Sequence, residues 1–128
     1  MKVLLDTCTL IWATLTPASL SQKARATIAD ETNVILVSAA SAWEIATKVR
    51  LGKFPNAERL ERDYLDIMDA AGYTLLDIDT ASALRAGRLN APHRDPFDRM
   101  LAAQALALDI PILSPDPLLD QFAVRRIW

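Results

Sequence analysis

The sequence is poor in the residues that build cross-links and histidine-rich metal sites. Its 128 residues include one cysteine, one histidine and three glycines. One cysteine excludes an intrachain disulfide and fits a reducing compartment at least as well as an oxidising one. One histidine excludes a metal site with several imidazole ligands, and three glycines exclude a collagen-like repeat.

Long apolar runs are also missing. The longest extend over only a few residues, whereas a helix that crosses a bilayer needs about 20. Near the start of the chain, the apolar residues 3–5 are followed at once by Asp6, too early for a secretory signal. We therefore expect a cytoplasmic protein without a membrane segment.

No excess of positive charge marks the chain as a nucleic-acid binder. Fourteen Lys and Arg residues oppose sixteen Asp and Glu residues, which gives a formal net charge of -2. A partner that carries phosphate would therefore need a local electrostatic attraction, which the net charge does not reveal. The chain is instead rich in apolar residues, which make up 52% of it and exclude a disordered protein. At this length we expect one domain that spans residues 1–128.

Short aliphatic runs alternate with longer helical patterns along the chain. This order predicts an α/β domain in which crossover helices connect parallel strands. The predicted strands are 2–5, 34–37, 74–78, 110–113 and 124–127, and the predicted helices are 20–28, 42–50, 58–71, 80–89 and 98–108. We expect helix 98–108 to be the most deeply packed, because it is the most apolar.

Capping residues indicate where two of these helices begin. Ser41, with Glu44 three residues later, predicts a capping box for helix 42–50. Asp95 precedes Pro96 and is expected to cap the last helix, with support of the site as the functional alternative. The aromatic residues Trp12 and Trp43 are expected in the core, because aromatic side chains on amphipathic helices usually pack there.

Acidic residues lie beyond the ends of predicted strands and, in one case, at the N-terminus of the helix that leads into the fourth strand. In open α/β sheets ligands collect at the carboxyl ends of the strands. Carboxylates that converge there would repel one another and would bind either protons or cations. Hard oxygen ligands suit Mg²⁺ or Mn²⁺, although a single Asp at such a position is more often a helix cap. The acids in question are Asp6, Glu44, Asp98 and Asp116.

Motifs in the same order along nearly the whole chain resemble those of a PIN domain of the VapC type, the toxin of a type II toxin-antitoxin pair. The most specific is HRDPFDRMLAAQA at 93–105. The other matching segments are LLDT at 4–7, LIW at 10–12, VSAASAWEI at 37–45, KVRLGK at 48–53, SPD at 114–116 and IW at 127–128.

The resemblance implies a three-layer α/β/α domain with a central, mainly parallel sheet of four to five strands. It also implies an endoribonuclease that uses Mg²⁺ or Mn²⁺ to hydrolyse RNA, forms a homodimer and is silenced by an antitoxin, with which it can form a larger complex. By this resemblance Asp6 and Asp98 are the direct metal ligands, and Glu44 and Asp116 act through water or a second ion.

Residues around these acids receive roles from the same resemblance. Thr7 and Ser114 stand where the family often has hydroxyls that steady the carboxylates. Two departures from the family pattern, Cys8 and Pro115, affect substrate contacts more than the acids, and we expect Cys8 to be a small buried residue. Basic residues near the acid motifs are expected to contact RNA phosphates; they are Lys48, Arg50, Arg94 and Arg99.

Other functions remain as alternatives. A phosphatase of the haloacid dehalogenase type needs a second Asp two residues after Asp6, and Cys8 stands there. A receiver-like signalling module needs an acid pair at the end of the first strand, where only Asp6 is present. A catalytically idle interaction module on the same fold is disfavoured because all the family's acids are present.

Overall fold

The computed structural model describes residues Met1–Trp128 and has a five-stranded sheet at its centre. All four strand pairings are parallel, and the strand order is β3-β2-β1-β4-β5. The strands are β1 (Lys2–Leu5), β2 (Val34–Ser38), β3 (Thr74–Leu76), β4 (Ile112–Leu113) and β5 (Arg126–Ile127). No helix in the chain is both long and apolar enough to span a membrane.

Helices connect the strands and cover both faces of the sheet. They are α1 (Thr7–Leu15), α2 (Gln22–Ala29), α3 (Ala39–Arg50), α4 (Glu58–Arg62), α5 (Tyr64–Ala71), α6 (Thr80–Arg88) and α7 (Pro96–Leu108). Short 3₁₀ helices occupy Pro17–Ser19 and Pro117–Phe122. The predicted α/β domain, with three layers and a parallel sheet, is confirmed.

Two hydrophobic cores lie on opposite faces of the sheet because successive side chains of a strand point in opposite directions. In β1, Val3 and Leu5 pack into one core, whereas Leu4 packs into the other. The first core includes residues of α1, α2, α4 and α5, and the second includes residues of α7, of α3 and of the 3₁₀ helix Pro117–Phe122. Both faces of the central strand are therefore buried, as its uninterrupted apolar sequence predicts.

Helix α7 is buried along its middle, which confirms the prediction for the most apolar helix. Its residues from Leu101 to Ala105 are all buried. The polar member of this stretch, Gln104, accepts a hydrogen bond from Ser38 at 2.6 Å and donates one to the Asp77 carbonyl at 3.1 Å. A buried amide needs such partners, and these two tie α7 to the ends of β2 and β3.

Several local predictions are wrong. Ser38 rather than Ser41 caps α3, so the helix begins three residues before the predicted start, and Ser41 lies buried within it. The predicted helix 58–71 is two helices that meet at Asp63. Helix α1 was not predicted, because its sequence TCTLIWATL has no charged residue and no clear polar face.

The two tryptophans expected in the core differ in environment. Trp12 packs against the first core and lies 5.9 Å, between ring centroids, from Trp128. Trp43 is 60% exposed, so its predicted core position is wrong. The Trp43 indole lies at the surface beside the Phe97 ring, 4.9 Å away between centroids and with the ring planes at 75°.

Candidate functional site

Asp6 is held at the point where β1 ends and α1 begins. It is the N-cap of α1, and its side chain accepts a hydrogen bond from the Thr9 backbone N–H at 2.7 Å. The Ser114 hydroxyl, which follows the neighbouring strand β4, donates to the other oxygen of the same carboxylate. Both carboxylate oxygens are therefore fixed by groups from two adjacent strand ends.

The environment of Asp6 disfavours its negative charge. The residue is 5% exposed, and burial raises the pKa of its carboxyl. The hydrogen bonds from Ser114 and Thr9 act in the opposite direction, whereas the charge of Glu44 raises the pKa further. No basic side chain forms an ion pair with Asp6. Such a carboxyl binds a proton more readily than an exposed one, and a nearby cation would favour its charged form.

Glu44 lies on the buried face of α3 and forms an ion pair with Lys48 one turn later. The start of the helix is joined to α1 by a hydrogen bond of 3.0 Å, which the Thr7 hydroxyl donates to Ser41. Thr7 thus contacts no carboxylate, and the group that steadies Asp6 from α1 is the Thr9 N–H instead.

Asp98 is in the first turn of α7, at the same end of the sheet. Burial is the largest cause that raises the pKa of its carboxyl, from 3.8 to about 6. A hydrogen bond from His93, 2.8 Å between Nε2 and Oδ2, acts against this rise, and the charges of Asp95 and Glu44 add to it. Glu44 therefore acts electrostatically on both Asp6 and Asp98, which places the three carboxyls in one region.

Asp95 is the N-cap of α7, as predicted. Its Oδ1 accepts hydrogen bonds from the backbone N–H groups of Phe97 at 2.8 Å and Asp98 at 3.3 Å. This cap fixes the turn on which Asp98 stands, so the contribution of Asp95 to the site is to orient the start of the helix.

Asp116 follows β4 and caps the 3₁₀ helix Pro117–Phe122. Its backbone N–H donates to the Ser114 hydroxyl at 3.0 Å, so one serine contacts both Asp6 and the segment that carries Asp116. Burial raises the pKa of the nearby Cys8 thiol to about 11, and the charges of Asp6, Glu44 and Asp116 contribute. This thiol stays protonated at neutral pH and is no nucleophile.

The donor chemistry of these residues fits a hard divalent cation. No group of three or more acidic, histidine or cysteine side chains is arranged as a cage that could hold a metal ion. Mg²⁺ needs no such cage, since it is usually held by one or two carboxylates together with water and substrate phosphate. Buried Asp6 and half-buried Asp98 supply such carboxylates.

Of the four basic residues expected to contact RNA, Arg99 has another role. Its guanidinium donates four hydrogen bonds to backbone carbonyls of residues between Ala86 and His93. The expectation for Arg99 is therefore wrong, because its donors are already used within the protein. Lys48 pairs with Glu44 but keeps 30% of its side chain exposed, and Arg50 and Arg94 are exposed.

A cleft of about 370 Å³ opens beside Glu44. Its walls combine polar residues of the candidate site with apolar residues of α1 and the segment after α3. They include Thr7, Cys8, Glu44, Lys48, Trp12 and Phe54. The carboxyl end of the sheet is therefore accessible from the surface.

Two residues at the site were missed. Thr9 is fully buried, and its hydroxyl donates to the Leu113 carbonyl at 2.9 Å. Asp6 and Thr9 have the spacing of an N-cap and its N3 position, but this pattern predicts a contact only where a helix is predicted, and α1 was not. The pairing of His93 with Asp98 had no such pattern, because it depends on how the loop before α7 turns.

Raised carboxyl pKa values make the folded, metal-free protein less stable as pH rises. Below pH 3.8, its pKa in the unfolded chain, the Asp98 carboxyl is protonated in both the folded and the unfolded protein. Between pH 3.8 and about 6 it is ionised in the unfolded chain but still largely protonated in the folded protein. The stability that Asp98 contributes should thus fall by about 2 kcal/mol between pH 4.5 and 7.5. Urea denaturation in EDTA should show this fall in the difference between wild type and Asp98→Asn; equal pH slopes would contradict it.

Comparison with known proteins gives both a family and relatives. The family model described as PIN domain matches residues 3–124. Ribonuclease VapC16 of Mycobacterium tuberculosis is 47% identical over 57 residues, which are 44% of this chain and 40% of that protein's length. The chain thus matches less than half of that relative.

Solved structures share the fold. VapBC2 from Rickettsia felis, bound to a DNA fragment from its promoter, has a TM-score of 0.73 and 14% identity, with 99% of this chain and 98% of that chain covered. VapBC-1 from nontypeable Haemophilus influenzae has a TM-score of 0.64 and 16% identity, with coverage of 99% and 97%. At such identities the likeness is one of fold.

Proposed function

This chain belongs to the PIN domain family, and we propose that it is a metal-dependent endoribonuclease that acts as the toxin of a type II toxin-antitoxin pair. The substrate is RNA, and the reaction is hydrolysis of its phosphodiester bonds. The similarity to Ribonuclease VapC16 over 57 residues supports the ribonuclease assignment.

The observation that carries this proposal is the group of acids at the carboxyl end of the sheet. Glu44 lies within electrostatic reach of both Asp6 and Asp98, and Asp116 acts on the same Cys8 thiol as Asp6 and Glu44. Such a concentration of negative charge opposes folding unless it serves a cation. An idle interaction module would have no use for it.

Asp6 and Asp98 would hold Mg²⁺ or Mn²⁺ directly, with Glu44 and Asp116 acting through bound water or a second ion. The ion, when bound, would activate water and stabilise the charge that develops on the phosphate. The chain's own groups support these ligands, since Ser114 and the Thr9 N–H orient the Asp6 carboxylate.

Basic side chains near the site would guide the RNA. Arg50 and Arg94 are exposed, and Lys48 is partly so, which makes them available to the phosphates of a strand that approaches Glu44 and Asp98. Contacts of this type position the backbone without selecting bases. They also compensate locally for the formal net charge of -2.

The partners in this proposal are the RNA substrate, a cognate antitoxin protein and a second copy of the chain in a homodimer. The VapBC structures that share the fold support the antitoxin partner. We also propose that the chain acts as a single PIN domain in the cytoplasm.

The metal requirement can be tested with purified protein and an RNA that contains both loops and stems. We expect no cleavage in EDTA and restored cleavage when excess Mg²⁺ or Mn²⁺ is added, because no lysine or arginine pairs with Asp6 or Asp98 in place of the ion. Excess Ca²⁺, which carries the same charge as Mg²⁺ and Mn²⁺, is the control for an effect on cleavage that depends on charge alone. Cleavage that persists in EDTA after gel filtration would contradict the proposal.

A further inference from the structure

The segment between α6 and α7 is fastened by one side chain. The Arg99 guanidinium donates from Nε to the Ala86 carbonyl at 3.0 Å and from Nη1 to the carbonyls of Ala91 and His93 at 3.0 and 2.9 Å, and Nη2 contacts the Leu89 carbonyl. An irregular segment without such partners would leave these carbonyls to water. The backbone at His93 is therefore fixed rather than free to swing.

The His93 side chain is fixed as well. Its ring meets the ring of Phe122 edge to face, with 5.7 Å between centroids and 72° between planes. Only 14% of the side chain is exposed, and Nε2 lies 2.8 Å from Asp98 Oδ2. The packing of the ring and the anchoring of the backbone thus both hold His93 in the position in which it forms this hydrogen bond.

This hydrogen bond distinguishes the two oxygens of Asp98. Oδ2 accepts from the His93 N–H, and Oδ1 has no partner within the protein. A free carboxylate can rotate about its terminal bond, and a donor on one oxygen restricts that rotation. The oxygen left for a ligand is Oδ1.

We infer that His93 is a positioning residue, which holds Asp98 through Oδ2 so that Oδ1 is presented to the divalent cation. The inference rests on the proposed function, since it assumes that Asp98 binds the ion. Hydrogen-bond partners of metal ligands typically contribute 10–100-fold to metal affinity or activity. The imidazole itself contacts neither the ion nor the RNA in this role.

The inference can be tested by Mn²⁺ binding to the RNA-free protein, followed through the electron paramagnetic resonance signal of free Mn²⁺. His93→Gln retains a side-chain N–H near the position of Nε2, whereas His93→Leu has similar bulk and no donor. We expect His93→Leu to weaken Mn²⁺ binding about 10–100-fold and His93→Gln to recover at least tenfold of that loss. Circular dichroism melts check that the variants are folded at the assay temperature.

The outcomes separate this inference from the proposed function. If Asp98→Asn loses Mn²⁺ binding but His93→Leu binds as wild type does, the positioning role is wrong and the metal site stands. Equal losses in the Leu and Gln variants would also overturn it, because the effect would then not depend on the donor. If Asp98→Asn binds Mn²⁺ like wild type, the proposed site itself fails. Should the Leu variant not fold, His93→Asn replaces it, since its shorter amide cannot reach Oδ2.

Discussion

Asp6→Asn and Asp98→Asn are each expected to lower the rate of RNA cleavage by at least about 100-fold. Loss of a ligand that carries the ion removes several kcal/mol of charge stabilisation in the transition state, and each 1.4 kcal/mol is about tenfold in rate. Asn has nearly the same shape as Asp and can still accept the Thr9 or the His93 hydrogen bond, and at residue 6 its NH₂ can donate to the Ser114 hydroxyl in place of accepting from it. The loss would therefore report the missing charge rather than a disturbed fold.

The matched control for these variants is Asp79→Asn. Asp79 also caps a helix, accepting the Ser82 N–H at 2.7 Å, but it is exposed and exerts no electrostatic effect on the candidate site. We expect it to cleave RNA as wild type does. If Asp6→Asn and Asp98→Asn cleave equally well, the activity comes from a contaminant or from another site.

Expression of the same variants in a bacterial host tests the toxin assignment. Wild type and Asp79→Asn are expected to arrest growth, whereas Asp6→Asn and Asp98→Asn are not. Co-expression of a small protein encoded beside this chain should relieve the arrest. If the wild-type protein cleaves RNA but does not arrest growth, the toxin role is wrong and the ribonuclease activity stands.

Arg99→Met is expected to lower the free energy of unfolding by about 3 kcal/mol. Met retains much of the aliphatic stem but leaves backbone carbonyls between Ala86 and His93 without donors. Hydrogen bonds to a charged group are worth about 1.5–3 kcal/mol each, and some of the freed carbonyls will be hydrated instead. The cost is thus well below the sum of the individual bonds.

Urea denaturation measures this effect, with Arg94→Met as the control. Arg94 lies in the same segment and is exposed, so its replacement should change stability by no more than about 0.5 kcal/mol. Faster hydrogen exchange is expected at amides of residues 86–95 in Arg99→Met. Similar stabilities for the two variants would show that the carbonyl contacts of Arg99 contribute little.

The strands and the long helices could be predicted because their signals are local. The run at 2–5 is apolar after Lys2 and the run at 34–37 is apolar throughout, which is typical of strands covered on both faces, and both lie where the structure has β1 and β2. Helix α7 was predicted from its apolar composition and its Asp-Pro start. Helix α1 was not predicted because its three threonines and lack of charge hide the helical period.

The candidate acids could also be found from the sequence. Asp6 and Asp116 follow strands and Asp98 stands in the first turn of a helix, whereas Glu44 lies inside α3 and was found from the motif around it. The partners of these acids could not be found in this way. Ser114 reaches Asp6 only because β1 and β4 are neighbours in the sheet, although 108 residues separate the two along the chain. Likewise, the burial that raises the pKa of Asp98 comes from packing of the whole helix end.

The basic residues show the same difference between what the sequence predicts and what the tertiary structure reveals. The sequence places Lys48, Arg94 and Arg99 near the acid motifs and assigns them the same expected contact with phosphate. The tertiary structure separates them: Lys48 pairs with Glu44, Arg94 faces solvent, and Arg99 holds backbone carbonyls. A cation binds whichever acceptors the fold brings within reach, and sequence spacing does not say which these are.

The sequence by itself therefore determined the parallel sheet, its principal helices and the identity of the acids at its carboxyl end. These features follow from the alternation of aliphatic runs with helical patterns, from apolar composition and from helix-capping residues, each of which is a signal carried by a few neighbouring residues. Only the tertiary structure decided that His93 holds Asp98, that Ser114 holds Asp6 and that Trp43 lies at the surface. Those features depend on distances between elements that are far apart in the chain, or on the course of an irregular loop, and no local pattern encodes them.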